Sequence, residues 1–343
     1  MDFILGIGTL LVVLLAMTLF LKFAPNGKVS LQALSGAACA SFLPEAFLKY
    51  AIGGVFHSEY FIKLGEVAGS LSGVAVGILT CLKFGINPVF AVLTGLVLFD
   101  FKLLPAFIAA YFVAFGIKAL EKYVPEGLDL IVVILLSPAI AYGIASIVSP
   151  SVTAVLKQIG TAITAVGDNN PYALALVIGA IVPVVGMTPL SSMVFTSLLG
   201  LTGIPMAIGA LGCMGSSFVN FMMFRKLRIG NAGKAFAVAV EPLTQIDTIA
   251  KYPIQLYGTN AVVGMVNGLL ITYMGIVVNQ PGMATPIAGP IVALGFNEVV
   301  PTVITIVVVA IISIIMSFFI GTFISKKRPT LDIQVPHVNQ QTN

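Results

Sequence analysis

The sequence predicts an all-α integral membrane protein with about ten membrane-embedded helices, several of them re-entrant. Three observations carry this. Of 343 residues, 58% are hydrophobic and only 9% are charged, against about 25% charged residues in ordinary soluble domains. Apolar runs long enough to cross roughly 30 Å of hydrocarbon recur along the chain. Between them lie apolar stretches too short or too broken to span. Such backbone survives at membrane depth only where protein covers it or where it lines a cavity.

The first run, residues 3–24, lacks the basic start and small-residue cleavage site of a secretory signal and reads as a retained span. Further spans are expected at 67–84, 103–120, 128–148, 172–185, 254–278 and 299–324. The interrupted stretches are 31–56 (broken by Pro44 and Glu45), 88–99, 191–224, 232–250 and 285–296. Basic residues gather at Lys22 with Lys28, in the loop 225–234 and at 326–328. By the positive-inside rule these face the cytoplasm and the chain starts outside. The net charge of +4 therefore records topology, and no nucleic-acid partner is expected. The partner that the composition demands is a lipid bilayer.

Up to about Pro150 the apolar segments are mostly continuous. From 151 to 325, glycine, proline, asparagine and threonine interrupt them repeatedly. Residues 1–150 are therefore expected to form one membrane region, 151–325 a second with re-entrant segments, and 326–343 a disordered cytoplasmic tail. Gly69, Gly73 and Gly77, four apart, place small residues on one helix face, for close packing within a subunit or between two. Cys39, Cys81 and Cys213 are widely separated, with no spacing for a metal site or a paired framework. No gap holds a soluble fold. No phosphate loop, zinc spacing or nucleophile arrangement appears, so neither cofactor nor metal is expected. The two histidines, His57 and His337, lie in a polar link and in the tail.

The fragments "GMTPLSS" (186–192) and "GMATPIAG" (282–289) resemble each other. Paired breaks of this kind point to a transporter binding site, because unwound backbone exposes donors and acceptors where a polar guest meets them. In "AVEPLTQIDT" (239–248) a carboxylate, Glu241, stands before a helix-breaking proline, Pro242. An acid at bilayer depth costs about 2.5–3.5 kcal/mol on insertion scales and marks function by default. Glu241 with Thr244 and Gln245 offers donors and acceptors suited to a polyol. The plainer alternative pairs Glu241 with Lys251 or Arg225 near the surface. Asp247 stands four before Lys251, the spacing of a simple surface pair. Asn169 and Asn170, in "GDNNPY", serve either as a helix cap or as pocket residues. Asn297, in "GFNEVVP", either contacts solute or lies in a loop. Asn220, Asn260 and Asn267 suit interhelical hydrogen bonds at least as well as ligand contact.

Several long stretches carry a resemblance: "APNGK", "GDNNPYALALVIGAIVPVVGMTPLSSM", "GIPMAIGALGCMGSSFVNF", "VEPLTQ" and "ATPIAGP". Over nearly its whole length the chain resembles the membrane (EIIC) component of the bacterial sugar phosphotransferase system. Within it, the likeness is to the type-2 branch labelled perfringolysin O regulator-like. The resemblance implies a homodimer in the bacterial plasma membrane, an N-terminal scaffold and a C-terminal region that carries the solute. It also implies a Glu-Pro element that hydrogen-bonds the sugar where it is phosphorylated. Glu241 and Pro242 match that dipeptide, with Ala239 and Val240 in place of the Ile-Thr that precedes it in those relatives. Any phosphotransfer would need separate soluble subunits.

The expectation is a permease for a small polar solute, a sugar, with Glu241 at the reacting position. Glu241, Thr244, Gln245, Asn169, Asn170 and Asn297 would contact the solute. Two alternatives stay open: a membrane-embedded sensor that keeps the transporter fold, and a carrier of a non-sugar solute uncoupled from phosphorylation.

Overall fold

The computed structural model describes residues 2–125, 127–188 and 190–327. The segment 328–343, most of the expected tail, lies outside the described residues. Among those described, the secondary structure is helical apart from one isolated bridge between Gly203 and Val278. Among the described residues six helices are long and apolar enough to cross a membrane, or seven if a bent pair counts as one span.

The first part of the chain comprises α1 (Asp2–Phe23), α2 (Gly27–Pro44), a π-helical stretch (Glu45–Gly53), α3 (Gly54–Phe56), α4 (Glu59–Ser70), α5 (Ser72–Lys83), α6 (Pro88–Leu96) and α7 (Leu103–Tyr123). The break expected at Pro44 and Glu45 does not occur. The helix runs on as a span over Gly27–Tyr50. Widened turns are among the local adjustments that let a proline sit inside a membrane helix, and here the helix widens directly after Pro44. The expected span 67–84 is the bent pair of α4 and α5, which meet at 47°.

All three glycines of the small-residue stripe are spent within the subunit. Gly69 lies against Glu45, Gly73 against the carbonyls of Leu98 and Phe101, and Gly77 against the backbone of Gly95. Around Tyr111, the rings of Phe20, Phe84 and Phe115 pack edge-on, while its hydroxyl donates to the Pro25 carbonyl at 2.8 Å. A buried tyrosine needs such a partner. It ties α7 to the link between α1 and α2.

α8 (Leu128–Asn169) is 42 residues long, about 60 Å at 1.5 Å per residue, and is helical on both sides of Pro150. It links the first part to the second. That part comprises α9 (Pro171–Val185), α10 (Ser192–Leu198), α11 (Gly203–Lys226), α12 (Ala232–Val240), a 3₁₀ turn (Pro242–Gln245), α13 (Ile246–Ile249), α14 (Pro253–Tyr273), α15 (Ala288–Phe296) and α16 (Val299–Lys327). α11 is the axis of this part, with 83% of its most apolar stretch buried, whereas α8 and α16 bury only 22% and so offer their surface to lipid. α11 falls largely within the expected interrupted stretch 191–224, because its glycines and serines lower its hydropathy. Those small residues are what let other helices close on it.

The packing partners define two ends. α11 finishes at Arg225 and Lys226, beside Gly321 of α16. α14 runs antiparallel to α11. Asn260 Nδ2 donates to Asn220 Oδ1 at 2.8 Å, and Asn267 approaches Gly215. The far ends of α11 and α14 therefore lie together, opposite the basic end. There the Val278 N–H donates to the Gly203 carbonyl at 3.0 Å. α9 crosses α14 at glycine, Gly179 against the Gly264 carbonyl and Gly268 against the Ala175 carbonyl. It thus begins at the far end and stops halfway, at Val185. The expected span at 172–185 is only 15 residues long and forms one arm of a re-entrant hairpin with α10.

Candidate functional site

Three interrupted hairpins converge on one cleft. From the far end come α9 and α10, with their break at 186–191, and the segment 276–297, which contains α15. From the basic end comes α12, whose helix stops at Glu241, in extended backbone (φ −146°, ψ 99°), before Pro242 opens the 3₁₀ turn. Proline cannot donate a backbone hydrogen bond and clashes with the preceding turn. α12 therefore ends at Val240, and the residue between it and the proline is an acid.

The cleft is lined by Glu241 and Pro242, by Gly186, Ser191 and Ser192, by Ala284, Thr285 and Pro286, and by Cys213 and Ser216 of α11 and Cys39 of α2. Its volume is about 390 Å³, open mouth included. The two similar fragments thus line the same cleft. They are also bonded: the Ser192 hydroxyl donates to the Ala284 carbonyl at 2.6 Å. α10 and α15 both begin at the cleft, and the Thr285 hydroxyl accepts from the first N–H of α15, at Ala288, at 3.0 Å. Helix N-termini carry partial positive charge. The start of α10, the Thr285 turn that leads into α15 and Glu241 line the same cleft. Beneath the cleft, a second apolar cluster including Met187, Phe224, Val238, Ile249 and Leu256 anchors the basic-end hairpin to α11 and α14.

The other sequence candidates have different places. Gln245 closes the 3₁₀ turn and is not among the residues lining the cleft. The side chains of Thr244, Asp247 and Asn169 lie outside the described residues. Asn170 is exposed and caps α9, its Oδ1 accepting from Ala173 N at 3.1 Å. Asn297 is a clip. It accepts from Val277 N at 2.9 Å and donates to the carbonyls of Val277 and Ala293, each at 2.7 Å, and so closes the two feet of the 276–297 hairpin. Asn220 and Asn260 bond to each other, and Asn267 donates to Ser313 at 2.9 Å.

Cys39, Cys213, Ser192, Ser216 and Thr285 line the cleft without having been singled out as candidates. For Ser192 and Thr285 the signal was present in the paired fragments. For the cysteines there was none, since a small buried thiol reads as packing wherever the chain puts it. Among the described residues, no group of three or more histidine, cysteine or acidic side chains is placed to hold a metal ion.

Residues 29–334 match the family described as "Phosphotransferase system, EIIC". The chain belongs to the phosphotransferase system EIIC family. No curated protein matches it. The match spans both parts of the fold and every residue of the cleft, so this EIIC protein is a multi-pass membrane component of such a system. The cleft holds no histidine. Its lining offers a carboxylate, which accepts hydrogen bonds, and serine and threonine hydroxyls, which donate or accept.

Proposed function

We propose that this protein is the permease component of a bacterial sugar phosphotransferase system and that a hydroxyl-rich solute, a sugar, binds in the Glu241 cleft. One observation carries the reading. Glu241, on the basic-end hairpin, lines one cleft together with the two paired breaks of the far-end hairpins. A site built to bond hydroxyls selects for them, because a guest without them leaves buried polar groups unpaired.

In this reading Glu241 contacts the hydroxyl that receives the phosphoryl group, Ser191, Ser192 and Thr285 line the remaining wall, and Thr244 and Gln245 extend the site as the hairpin moves. Asn169, Asn170 and Asn297 act at the rim and the hinge. The phosphoryl donor is a separate soluble subunit. The protein is a homodimer in the plasma membrane with its basic loops in the cytoplasm. Residues 1–150 are the scaffold, 151–325 the solute-bearing region, and α8 joins them. Within the family, the chain sits in the perfringolysin O regulator-like branch.

Uptake of labelled sugars into proteoliposomes, with and without soluble phosphotransfer proteins, tests this. Accumulation of sugar phosphate is expected. Flux without phosphate would point to an uncoupled carrier, and no flux with intact protein would point to a sensor. Glu241→Gln keeps the shape and loses the charge. It is expected to weaken solute binding roughly 10- to 100-fold, the worth of a charged hydrogen bond. Unchanged binding in the folded variant would remove Glu241 from the site.

A further inference from the structure

Beside the cleft lies a second, much larger cavity of about 2420 Å³, open mouth included. Both parts of the chain wall it: Phe42 and Glu45 from the first, Lys157 of α8, Ser197 of α10, and Gln280 with Pro281 from the far-end hairpin. Pockets that grip a small ligand measure about 300–1,000 Å³. With the open mouths left out, this cavity measures about 1160 Å³, just above that range, and the cleft about 20 Å³, closed down far below it. Three acids, Glu45, Glu66 and Asp100, and three lysines, Lys49, Lys102 and Lys157, line it. Charged groups at membrane depth face water-filled cavities or partners. The cavity is thus suited to conduct a polar solute rather than to hold one.

Three elements pass from this cavity to the cleft. On α2, Phe42 faces the cavity and Cys39, three residues earlier, faces the cleft. On α10 the same pair is Ser197 and Met193, and on the hairpin it is Pro281 and Ala284. Three or four residues of helix are about one turn, so the wall between the two spaces is about 5 Å thick. The Phe42 ring occupies that wall. It lies so close to Gly282 that a methyl group there would sit 2.9 Å from the ring and 3.4 Å from Ser197 Cβ. Gly282 also has φ +80°, where a side chain is strained. Beneath the ring, the Cys39 thiol reaches the Met193 sulfur at 3.7 Å.

We propose that the large cavity is the antechamber through which solute reaches the cleft from the end opposite the basic loops, and that Phe42, closed on Gly282, is the gate between the two spaces. The proposal rests on the cleft being the solute site, but its test uses no solute. Cys39 is a native reporter on the cleft side of the gate, and Cys81, buried on α5, is an internal control. The full-length protein in oriented proteoliposomes is treated with a charged, membrane-impermeant methanethiosulfonate, and labelling of each cysteine is timed by peptide mass.

Labelling of Cys39 from the antechamber side is expected to accelerate in the order Phe42→Trp, wild type, Phe42→Leu, Phe42→Ala, with about tenfold between the extremes as the open population grows. Cys81 labelling stays constant. If Phe42→Ala does not fold, the Trp and Leu variants still rank the effect. Equal rates across the folded variants would overturn the gate. So would an equal rise at Cys81, or access to Cys39 from the basic side alone. A flat series together with lost binding in Glu241→Gln sinks the gate and leaves the cleft standing. A graded series with unchanged binding in Glu241→Gln does the reverse.

Discussion

Ser192 holds a place out of proportion to its size. Its hydroxyl bonds one hairpin to the other, donating to a carbonyl, Ala284, that belongs to no helix. Ser192→Ala removes one hydrogen bond and leaves a buried acceptor unpaired, a loss of about 1–3 kcal/mol. The expected outcome is a lower thermal midpoint together with weaker solute binding, because the same bond sets the width of the cleft. Asn170 predicts the contrary pattern. Its exposed side chain caps α9, so Asn170→Ala should cost about 1 kcal/mol of stability, Asn170→Ser should restore it, and solute affinity of the folded protein should not follow either change. Thermal shift and equilibrium binding on the same preparations separate these cases. The two residues also show what sequence can disclose at this scale. Asn170 stands before a proline and an apolar run, so a cap was one of two open readings. Ser192 is one serine among several, and its partner is 92 residues away.

Among elements, the crossing of α9 and α14 positions the cleft. Gly179, Gly264 and Gly268 let the two backbones touch, and this fixes how deep α9 carries the break at 186–191. Gly264→Leu should therefore prevent assembly, with loss of the monodisperse protein in detergent. Gly258 on the same helix has open space where a side chain would go. Gly258→Ala is expected to be neutral or to stabilise by up to about 1 kcal/mol through helix propensity. Gel filtration and thermal melting distinguish packing from propensity. Elements with unbroken apolar patterns, such as α7 and α16, were legible because hydropathy alone defines them. α11 and α9 were not. α11 is buried by protein rather than lipid, so it is built from glycine, serine and methionine and scores low. α9 scores high enough for a span but stops at half depth. At Pro44 the proline signal pointed to a break, while the helix absorbed it by widening.

For the whole molecule, the two ends follow from how α11, α14 and α16 lie together, and the basic residues Arg225, Lys226 and Lys234 mark one of them. With the positive-inside rule, a cysteine placed at Gly230 in a variant lacking the native thiols should react with an impermeant reagent only from the cytoplasmic face. Reaction from outside would invert the orientation, and with it the direction in which the antechamber opens. The three-hairpin arrangement also implies that Glu241 approaches from the basic end while Ser192 and Thr285 approach from the other. In the proposed function the acid and its polar counterparts sit on three separate segments, so the site is complete only when all three tips are together.

By itself the amino-acid order determined that this chain lives in a bilayer and that its backbone is interrupted at Pro242 and near the paired Thr-Pro fragments, and it left open whether the acid before Pro242 meets a polar guest or a surface cation. Those follow from local costs: the solvation of apolar runs, the missing donor of proline and the penalty of a charge in hydrocarbon. Only the tertiary structure decided that the interruptions at 186–192, 241–242 and 284–286 share one cleft, that Cys39 and Phe42 stand on either side of a thin wall, and that Asn297 is a clip. Such pairings join residues many turns apart, and their energy resides in the close approach of helices, which no single segment encodes.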